Sequence, residues 1–322
     1  MSAAKSEQTH VRTVFFNVQV DCESTQHALR DPGLGERAIR GLGEVFAQTG
    51  VKGTFLVIPG DLRAHGAVYR ELQAAGHEIG LHVHPADQGY EEFLGVYSAE
   101  DQARIVAEAR DAFCAAMDRP PRAIVPGYGS ANDHTFPVFE ALGFTHGHAS
   151  FPTRDLPQCA CVWGSSPRGC HYPHRYNRCL EGDVDFVDIP PTIDAQSRMW
   201  GGRHPQDLRV ELVDAKNHWY TIDKDLKRQV DAGEDVATPY IRALTHNVFE
   251  YGRPDDFRRE TLLGIIQAVR ERCEAYGCRM QPATLAEIAE DFRAKVPRPK
   301  GAAKLTLDTR GRKPGGAPEA GA

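Results

Sequence analysis

Extended apolar runs alternate with amphipathic segments along most of this chain, and that alternation restricts its fold more than any other feature. Such an order is typical of a parallel sheet whose strands are joined by crossover helices. Seven or eight strands predict an α/β fold closed into a barrel. The predicted strands, of which the last is the weakest, are Arg12–Val20, Gly53–Ile58, Glu78–His84, Ala123–Pro126, Phe144–His148, Asp185–Ile189, Tyr240–Thr245 and Cys278–Gln281.

Helices are predicted between these strands from apolar residues at helical spacing. Residues 12–296 are assigned to the barrel, with a Cys- and Pro-rich insertion at about 151–183 at one of its ends. Residues 1–11 and the Pro- and Gly-rich segment 297–322 are predicted to be disordered. The predicted helices are Glu36–Thr49, Ser98–Met117, Leu208–Val230 and Phe257–Ala275.

The charge balance excludes some classes of partner. Among 322 residues the formal net charge is −6, so there is no global basic field to hold nucleic acid or an anionic membrane. The sequence contains no apolar run of the length that a membrane helix needs and no export signal, so a cytoplasmic location is predicted. Assembly into a homo-oligomer is left open.

Four of the eight cysteines lie close together in the insertion, interleaved with two histidines. Without an export signal they are interpreted as thiols in an irregular loop. A structural zinc site is the alternative, although the paired C-x-x-C spacing of known zinc modules is missing. These cysteines are Cys159, Cys161, Cys170 and Cys179.

Polar side chains mark the ends of three predicted strands, which is where the active sites of such barrels lie. In the first stretch, "NVQVDCES", Asn17, Gln19 and Asp21 share one face of an extended segment. In the second, "GHEIGLHVHPAD", the same parity places His82 and His84 side by side. Two imidazoles with a nearby carboxylate are suited to a divalent metal.

The third stretch is "ALTHN", which places His246 at the end of a late strand. On its own, a single histidine is more often structural than catalytic. Its significance depends on whether the fold brings it to the other two stretches.

Together these stretches resemble the polysaccharide deacetylase family, the carbohydrate esterases with a NodB-homology domain. The most specific part is "GTFLVIPGDL" followed by "LQAAGHEIGLHVHP", and the resemblance runs from about Arg12 to Phe292. It implies a NodB-like, irregular (β/α) barrel that removes acyl groups from N-acylated sugars. It also implies a divalent metal, most often zinc, with Co, Ni or Mn as alternatives.

The resemblance carries roles onto individual positions. Asp21 matches the metal-binding aspartate, His82 the first metal histidine, and His246 the general acid that protonates the leaving amine. The family's third motif falls on Pro126-Gly127-Tyr128-Gly129, and it implies that backbone amides at Tyr128 and Gly129 hold the oxyanion.

The second metal histidine of the family is displaced in this chain. Many members have it four residues after the first, where Ala86 stands here. Strand parity favours His84 as the replacement, and Asp87 is the alternative if the chain turns sharply after Pro85.

The family's general base is also changed. Gln19 stands at the base aspartate and Val125 at the arginine that pairs with it. Losing one member of a buried ion pair costs about 3–5 kcal/mol, whereas replacing both can be nearly neutral. Gln19 and Val125 are therefore interpreted as one coordinated loss of charge.

Two assignments of the acidic residues remain open. In one, Asp21 binds the metal with His82 and His84, while Glu23 or His246 moves protons. In the other, Asp21 is the base and Glu23 binds the metal. Both favour a hydrolase of linear C–N amide bonds that deacetylates a sugar or a small N-acyl compound. The alternatives are an amidase or deformylase on a non-sugar substrate, and a non-catalytic barrel that binds a glycan.

Other polar residues have simpler interpretations. His146 and His148 offer an additional ligand in one interpretation and structural side chains in the other. The spacing of Glu211, Asp214 and His218 is typical of a solvated helix face. Trp200 could stack on a sugar ring, although packing is the more common role of an aromatic side chain in a Gly-rich loop.

Overall fold

One parallel sheet of eight strands forms the centre of the molecule, as predicted. The computed structural model describes residues 11–164, 166–199 and 201–301. Every predicted strand is present, although the fifth and sixth are only two residues long. The strands are β1 Arg12–Cys22, β2 Gly53–Val57, β3 Glu78–Val83, β4 Ala123–Pro126, β5 His146–Gly147, β6 Val187–Asp188, β7 Tyr240–His246 and β8 Cys278–Pro282.

The order across the sheet is β6-β5-β4-β3-β2-β1-β7, with β8 paired to the first half of β1. The fold is a (β/α) barrel. It is irregular because β6 and β7, at the two edges of the sheet, do not pair with each other among the described strands. The segment after β6 contacts β7 through single hydrogen bonds. The Arg242 backbone N–H donates to Thr192 Oγ1 at 3.0 Å, and the Tyr240 hydroxyl donates to the Pro190 carbonyl at 2.8 Å.

Helices cover the outer face of the sheet. The third of them begins as its sequence predicts, because the Ser98 side chain accepts a hydrogen bond from the Asp101 backbone N–H. The helices are α1 Leu34–Thr49, α2 Pro59–Ala74, α3 Ala99–Met117, α4 Thr135–Ala141, α5 Ala215–Asp231, α6 Phe257–Ala275 and α7 Leu285–Lys295.

The two faces of β1 explain why this strand is buried along most of its length. Val18 and Val20 belong to the main hydrophobic core beneath the helices. Asn17, Gln19 and Asp21 alternate with them and are buried on the inner face of the barrel. The barrel interior is therefore polar along β1, and that polar row leads to the carboxyl end of the strand.

The start of α5 differs from the prediction. A helix was predicted from Leu208, but residues before Asp214 run beside β7. The Leu208 carbonyl accepts from the Leu244 N–H at 3.1 Å, and the Val210 N–H donates to the Leu244 carbonyl at 3.0 Å. These bonds to a strand replace the bonds that a helix would make within itself.

The predicted insertion forms small antiparallel pairs, and this irregular region continues beyond residue 183. The pairs join Asp155–Leu156 to Cys161–Val162, Pro173–His174 to Asn177–Glu181, and Ile193–Met199 to His204–Asp207. All eight cysteines are free thiols. Among the described residues, the insertion cysteines are not part of any cluster with the spacing of metal ligands.

The predicted disordered termini fall almost wholly on residues 1–10 and 302–322, which lie outside the described residues, as does Trp200. No described helix is both long and apolar enough to cross a membrane.

Candidate active site

The predicted polar side chains meet at the carboxyl ends of three strands. Asp21 and Glu23 lie at the end of β1, His82 and His84 at the end of β3, and His246 ends β7. All five line one cavity of about 190 Å³. The alternation inferred from the sequence thus correctly placed both histidines on the inner face of the sheet.

Glu23, His82 and His84 form a compact cluster. The Nε2 atoms of the two histidines lie 3.0 Å apart. Glu23 Oε2 lies 2.9 Å from His84 Nε2 and 3.4 Å from His82 Nε2. Each side chain offers one ligand atom, and among the described residues these three atoms lie close enough together to hold one metal ion.

The partner of Nδ1 in each imidazole determines whether the Nε2 atom of that ring carries a proton or a lone pair. His82 Nδ1 lies 3.0 Å from the Val125 carbonyl, and His84 Nδ1 contacts the Glu92 carboxylate. Both partners are acceptors, so each Nδ1 carries a proton and each Nε2 of a neutral ring presents a lone pair. Such outer contacts are the usual support of metal-binding histidines.

The backbone that carries Glu23 is held by buried side chains. Asn247 Oδ1 accepts from the Glu23 N–H at 2.8 Å and the Ser24 N–H at 3.1 Å. Asn247 Nδ2 in turn donates to Asp61 at 2.6 Å, and Asp61 accepts from the Thr25 N–H at 2.7 Å. The backbone at Glu23 is therefore held in place by Asp61 of α2 and by Asn247, the residue after β7.

The charges of the cluster are strongly coupled. Burial alone would raise the pKa of Glu23, but hydrogen bonds from His27, His82 and His84 outweigh it and hold that pKa well below its usual range. Burial opposes the charge on His84, yet Glu23 and Glu92 raise the pKa of that imidazole to about 9. A cation bound here would compete with that proton.

Asp21 is engaged differently from Glu23. Its Oδ1 accepts from Gln19 Nε2 at 2.6 Å, and the same Nε2 lies 3.1 Å from His148 Nε2. Burial and, after it, the Arg242 charge hold the pKa of His148 well below its usual value, so that ring is neutral and can accept. Asp21 thus lines the cavity beside the cluster without belonging to it.

The interpretation of Gln19 and Val125 as a joint loss of charge is half wrong. The Val125 side chain packs with Leu56 and Ala123. However, a guanidinium still contacts position 19, because Arg242 Nη1 donates to Gln19 Oε1 at 3.1 Å. The acid of the family pair is absent, while a cation is present and comes from β7. Sequence inspection missed Arg242 because its strand is distant along the chain.

His246 has an acidic partner that the sequence interpretation also missed. Its Nδ1 lies 2.5 Å from Glu211 Oε1. Burial opposes the charge, but Glu211 raises the pKa of His246 to about 9. The side chains of Glu211 and His218 are buried, so the interpretation as a solvated helix face is wrong for these two residues, whereas Asp214 is exposed at the start of α5. The bonds between residues 208–210 and β7 place Glu211 at the site.

Two candidate ligands lie elsewhere. The Asp87 carboxylate accepts from the Gly60 N–H at 2.9 Å at the start of α2, so the chain does not turn Asp87 into the cluster. His146 Nε2 lies 2.6 Å from Glu78 Oε1 at the opposite ends of the strands. The alternative ligand roles of Asp87 and His146 are therefore not supported by their positions.

The turn after β4 lies against the cluster. A Cβ atom at Gly127 would approach His84 Cε1 and Nε2 to 2.5 Å, so any other residue there would have to displace this imidazole. Tyr128 has a φ of 60°, which is strained for a residue other than glycine. Both Tyr128 and Gly129 line the cavity. Their role as backbone donors to an oxyanion stays a prediction.

Comparison with known proteins shows which family part of this chain is similar to. Residues 32–147 match the family model described as polysaccharide deacetylase. This segment resembles the polysaccharide deacetylase family. It includes both cluster histidines and the turn at Tyr128. The match supports a hydrolase that acts on carbon–nitrogen bonds, as the deacetylase resemblance implied.

Solved structures support the fold over the rest of the chain. A putative polysaccharide deacetylase from Mycobacterium smegmatis is 18% identical, with a TM-score of 0.56, covering 95% of this chain and 99% of that one. The Puue allantoinase is 15% identical with a TM-score of 0.57, covering 89% and 92%. A probable polysaccharide deacetylase from Pseudomonas aeruginosa PAO1 is 16% identical with a TM-score of 0.56, covering 89% and 93%. The comparison with curated proteins found no match.

Proposed function

We propose that this protein is a metal-dependent hydrolase of linear C–N amide bonds, with Glu23, His82 and His84 as the metal ligands. One observation carries the proposal. Two imidazole nitrogens and a carboxylate oxygen, all of them acceptors when the rings are neutral, converge to within 2.9–3.4 Å of one another. Acceptors placed so closely repel each other unless a proton or a metal ion lies between them, and a metal ion can be shared by all three.

The donor set suits zinc. Two histidines and one glutamate are a known catalytic zinc set, and three protein ligands leave a position open for water or substrate. When bound, such a metal polarises an amide carbonyl and makes water a stronger nucleophile at neutral pH. Nitrogen ligands also suit Co and Ni, and carboxylate suits Mn, so these metals remain alternatives.

Asp21 is the proposed general base. It lies two residues before Glu23, lines the same cavity and is held in place by the Gln19 amide. Because the Gln19 N–H donates to Oδ1, the Asp21 carboxylate is held in one orientation and acts as a hydrogen-bond acceptor there. It can therefore take the proton from a water in the cavity. This is the second assignment of the sequence interpretation, in which Glu23 and not Asp21 binds the metal.

His246 is the proposed general acid. It lies opposite Asp21 in the register of β1 with β7. Because its Nδ1 is bound by Glu211, its other ring nitrogen is the one available to the cavity. With a pKa of about 9 it is protonated at neutral pH and can donate to the departing amine.

The substrate class follows from the family resemblance and from the size of the cavity. An N-acetylated sugar unit or a small N-acyl compound is proposed, because a cavity of about 190 Å³ has room for one small group of the substrate. The expected cytoplasmic location also favours a soluble substrate.

Metal analysis combined with an acetate-release assay tests this function. The purified protein is expected to contain Zn, Co, Ni or Mn, and to release acetate from N-acetylated compounds. A chelator should abolish the release and added metal should restore it. The double substitution His82→Ala/His84→Ala should lose both metal and activity. A protein that binds no divalent metal, or a metal-bound protein that only binds a glycan, would contradict the proposal.

A further inference from the structure

The two oxygens of the Glu23 carboxylate have different surroundings. Oε2 faces the cluster, at 2.9 Å from His84 Nε2 and 3.4 Å from His82 Nε2. Oε1 lies 3.0 Å from Nε2 of His27, which is not one of the three residues whose ligand atoms could share one ion. One oxygen is thus available to a metal, while the other already contacts a histidine outside the cluster.

A single short turn brings His27 back to Glu23. Residues Ser24–Gln26 form a 3₁₀ turn directly after the glutamate. The Gln26 N–H donates to the Glu23 carbonyl at 3.0 Å, and the His27 N–H donates to the Ser24 carbonyl at 3.3 Å. The chain folds back over one turn, so two side chains four residues apart meet.

The same turn is held by acidic residues on two other segments. Asp61 of α2 accepts from the Thr25 N–H at 2.7 Å. On the other segment, Glu92 Oε2 accepts from Gln26 Nε2 at 2.9 Å. The backbone that carries His27 is therefore fixed before a metal binds, and its side chain needs little ordering to reach the carboxylate.

The direction of the contact between His27 and Glu23 follows from the acceptor. An ionised carboxylate can only accept, so His27 Nε2 carries the proton and donates, whether the ring is neutral or charged. A ring nitrogen that carries a proton cannot also bind a metal. In this arrangement His27 is a hydrogen-bond donor to Glu23 and not a fourth ligand.

Exposure of the histidine separates this contact from the packing of the fold. The His27 side chain is 47% exposed, whereas Glu23 is buried. Contacts of exposed charged or polar groups contribute little to the free energy of folding. The main effect of the hydrogen bond is therefore on the orientation of the buried carboxylate.

That orientation matters because a carboxylate can bind a metal through one oxygen or through both. Binding through both would take up the position that three single-atom ligands leave open for water or substrate. We propose that His27 is a positioning residue, which holds Oε1 of Glu23 away from the metal so that Glu23 binds through Oε2 alone. This inference rests on the proposed function and adds a residue that keeps its metal site open.

Two variants of similar size test the role of the donor. His27→Gln keeps an N–H group at the end of the side chain, and His27→Leu removes it. His134→Ala is the matched control, since His134 is exposed at the start of α4 and its side chain caps nothing there. Should His27→Leu not fold, His27→Ala makes the same comparison.

The measurements are the absorption spectrum of the Co-loaded protein, the affinity for Zn, and kcat and KM in the acetate-release assay. In His27→Leu the Co absorption should weaken, as it does when a further ligand atom binds, and kcat should fall roughly tenfold. Zn affinity and KM should change only a few-fold. His27→Gln should restore most of both losses, and His134→Ala should match the unsubstituted protein.

Several results would overturn this role of His27. They are an unchanged Co spectrum in His27→Leu, the same spectral change in His27→Gln, and a loss of Zn affinity of roughly tenfold or more, which would make His27 a ligand or a support of the whole site. Any of them in an active hydrolase leaves the proposed function intact. The expected spectral change in a protein without hydrolysis would sustain the role of His27 and contradict the hydrolase. A protein that binds neither Co nor Zn would contradict both.

Discussion

Arg242 donates from Nη1 to the side-chain oxygen of Gln19 at 3.1 Å, and both side chains are buried inside the barrel. This bond settles which way the amide faces, since only the oxygen of Gln19 can accept from a guanidinium. The Gln19 nitrogen therefore points to Asp21 and His148. A neutral amide thus links a buried cation to the carboxylate proposed as the base.

Removing the Gln19 amide should destabilise the fold through Arg242. Gln19→Leu removes the side-chain oxygen that accepts from that guanidinium and should lower the free energy of unfolding by about 2 kcal/mol. Arg242→Met removes the charge as well, so the double variant should be less destabilised than the sum of the single variants, by about 0.5–3 kcal/mol. Denaturant unfolding of the four proteins measures this coupling. Strictly additive changes would show that the pair does not interact.

Filling the space beside His84 should weaken the metal site without unfolding the protein. In Gly127→Ala the new methyl group would lie 2.5 Å from His84 ring atoms, so the imidazole must move away from the cluster. Metal affinity should fall roughly 10–100-fold, the range for disturbed support of metal ligands. Gly169→Ala is the matched control, because its added Cβ meets nothing within 4 Å. Equal metal affinity in both variants would argue against His84 as a ligand.

The alkaline limit of activity should depend on Glu211. A general acid works only while protonated, so the rate should hold up to the His246 pKa of about 9 and fall above it. Glu211→Gln removes the charge that raises this pKa, and the fall should begin at lower pH, towards the ordinary histidine value of 6.5. The pH profile of kcat for both proteins checks this. An alkaline limb that does not move would exclude His246 as the proton donor.

The acid limit of stability should depend on Glu78. Its buried carboxylate accepts from His146, from Thr54 Oγ1 at 3.1 Å and from the Ala286 N–H at 3.0 Å. Despite burial, which would raise it, the pKa of Glu78 is lowered by His146 and these bonds. A lowered pKa stabilises the fold above the ordinary value of 4.5, and this stabilisation is lost as the pH falls through the folded value.

Glu78→Gln should therefore flatten the loss of stability at acidic pH and cost about 1–3 kcal/mol at pH 7. Chemical unfolding between acidic and neutral pH measures both effects. Glu181→Gln, on the surface, is the control and should change neither. Metal content should stay unchanged in Glu78→Gln, since Glu78 lies at the opposite end of β3 from the cluster. A loss of metal in Glu78→Gln would show that the hydrogen bonds of Glu78 and the cluster of Glu23, His82 and His84 are not independent.

The strands were predictable because their signal is local. Each is a short apolar run between polar segments, and the parity within "VQVDCES" and "LHVH" correctly separated the inner face from the outer one. The cluster histidines were found for the same reason. His84 rather than Asp87 joins His82, as parity favoured, because Asp87 is already bound to the Gly60 N–H.

The partners of the site were not predictable in the same way. Glu92, Glu211 and Arg242 reach the cavity region from a loop, from a segment beside β7 and from β7 itself. Nothing in their immediate sequence marks them, since their positions depend on which strands become neighbours. The spacing of Glu211 and His218 indicated one helix, but only His218 lies in α5 and Glu211 precedes it. Contacts with β7 override that local preference.

The central claim is that Glu23 binds the metal and Asp21 is the general base. The metal affinities of two isosteric variants test it most directly. Each substitution, Glu23→Gln and Asp21→Asn, removes one charge and keeps the side-chain size. Titration of Zn into the chelator-treated proteins should show a loss of roughly 10–100-fold for Glu23→Gln and a change of only a few-fold for Asp21→Asn, which should nevertheless be inactive. The reverse order, with metal lost in Asp21→Asn and retained in Glu23→Gln, would contradict the account.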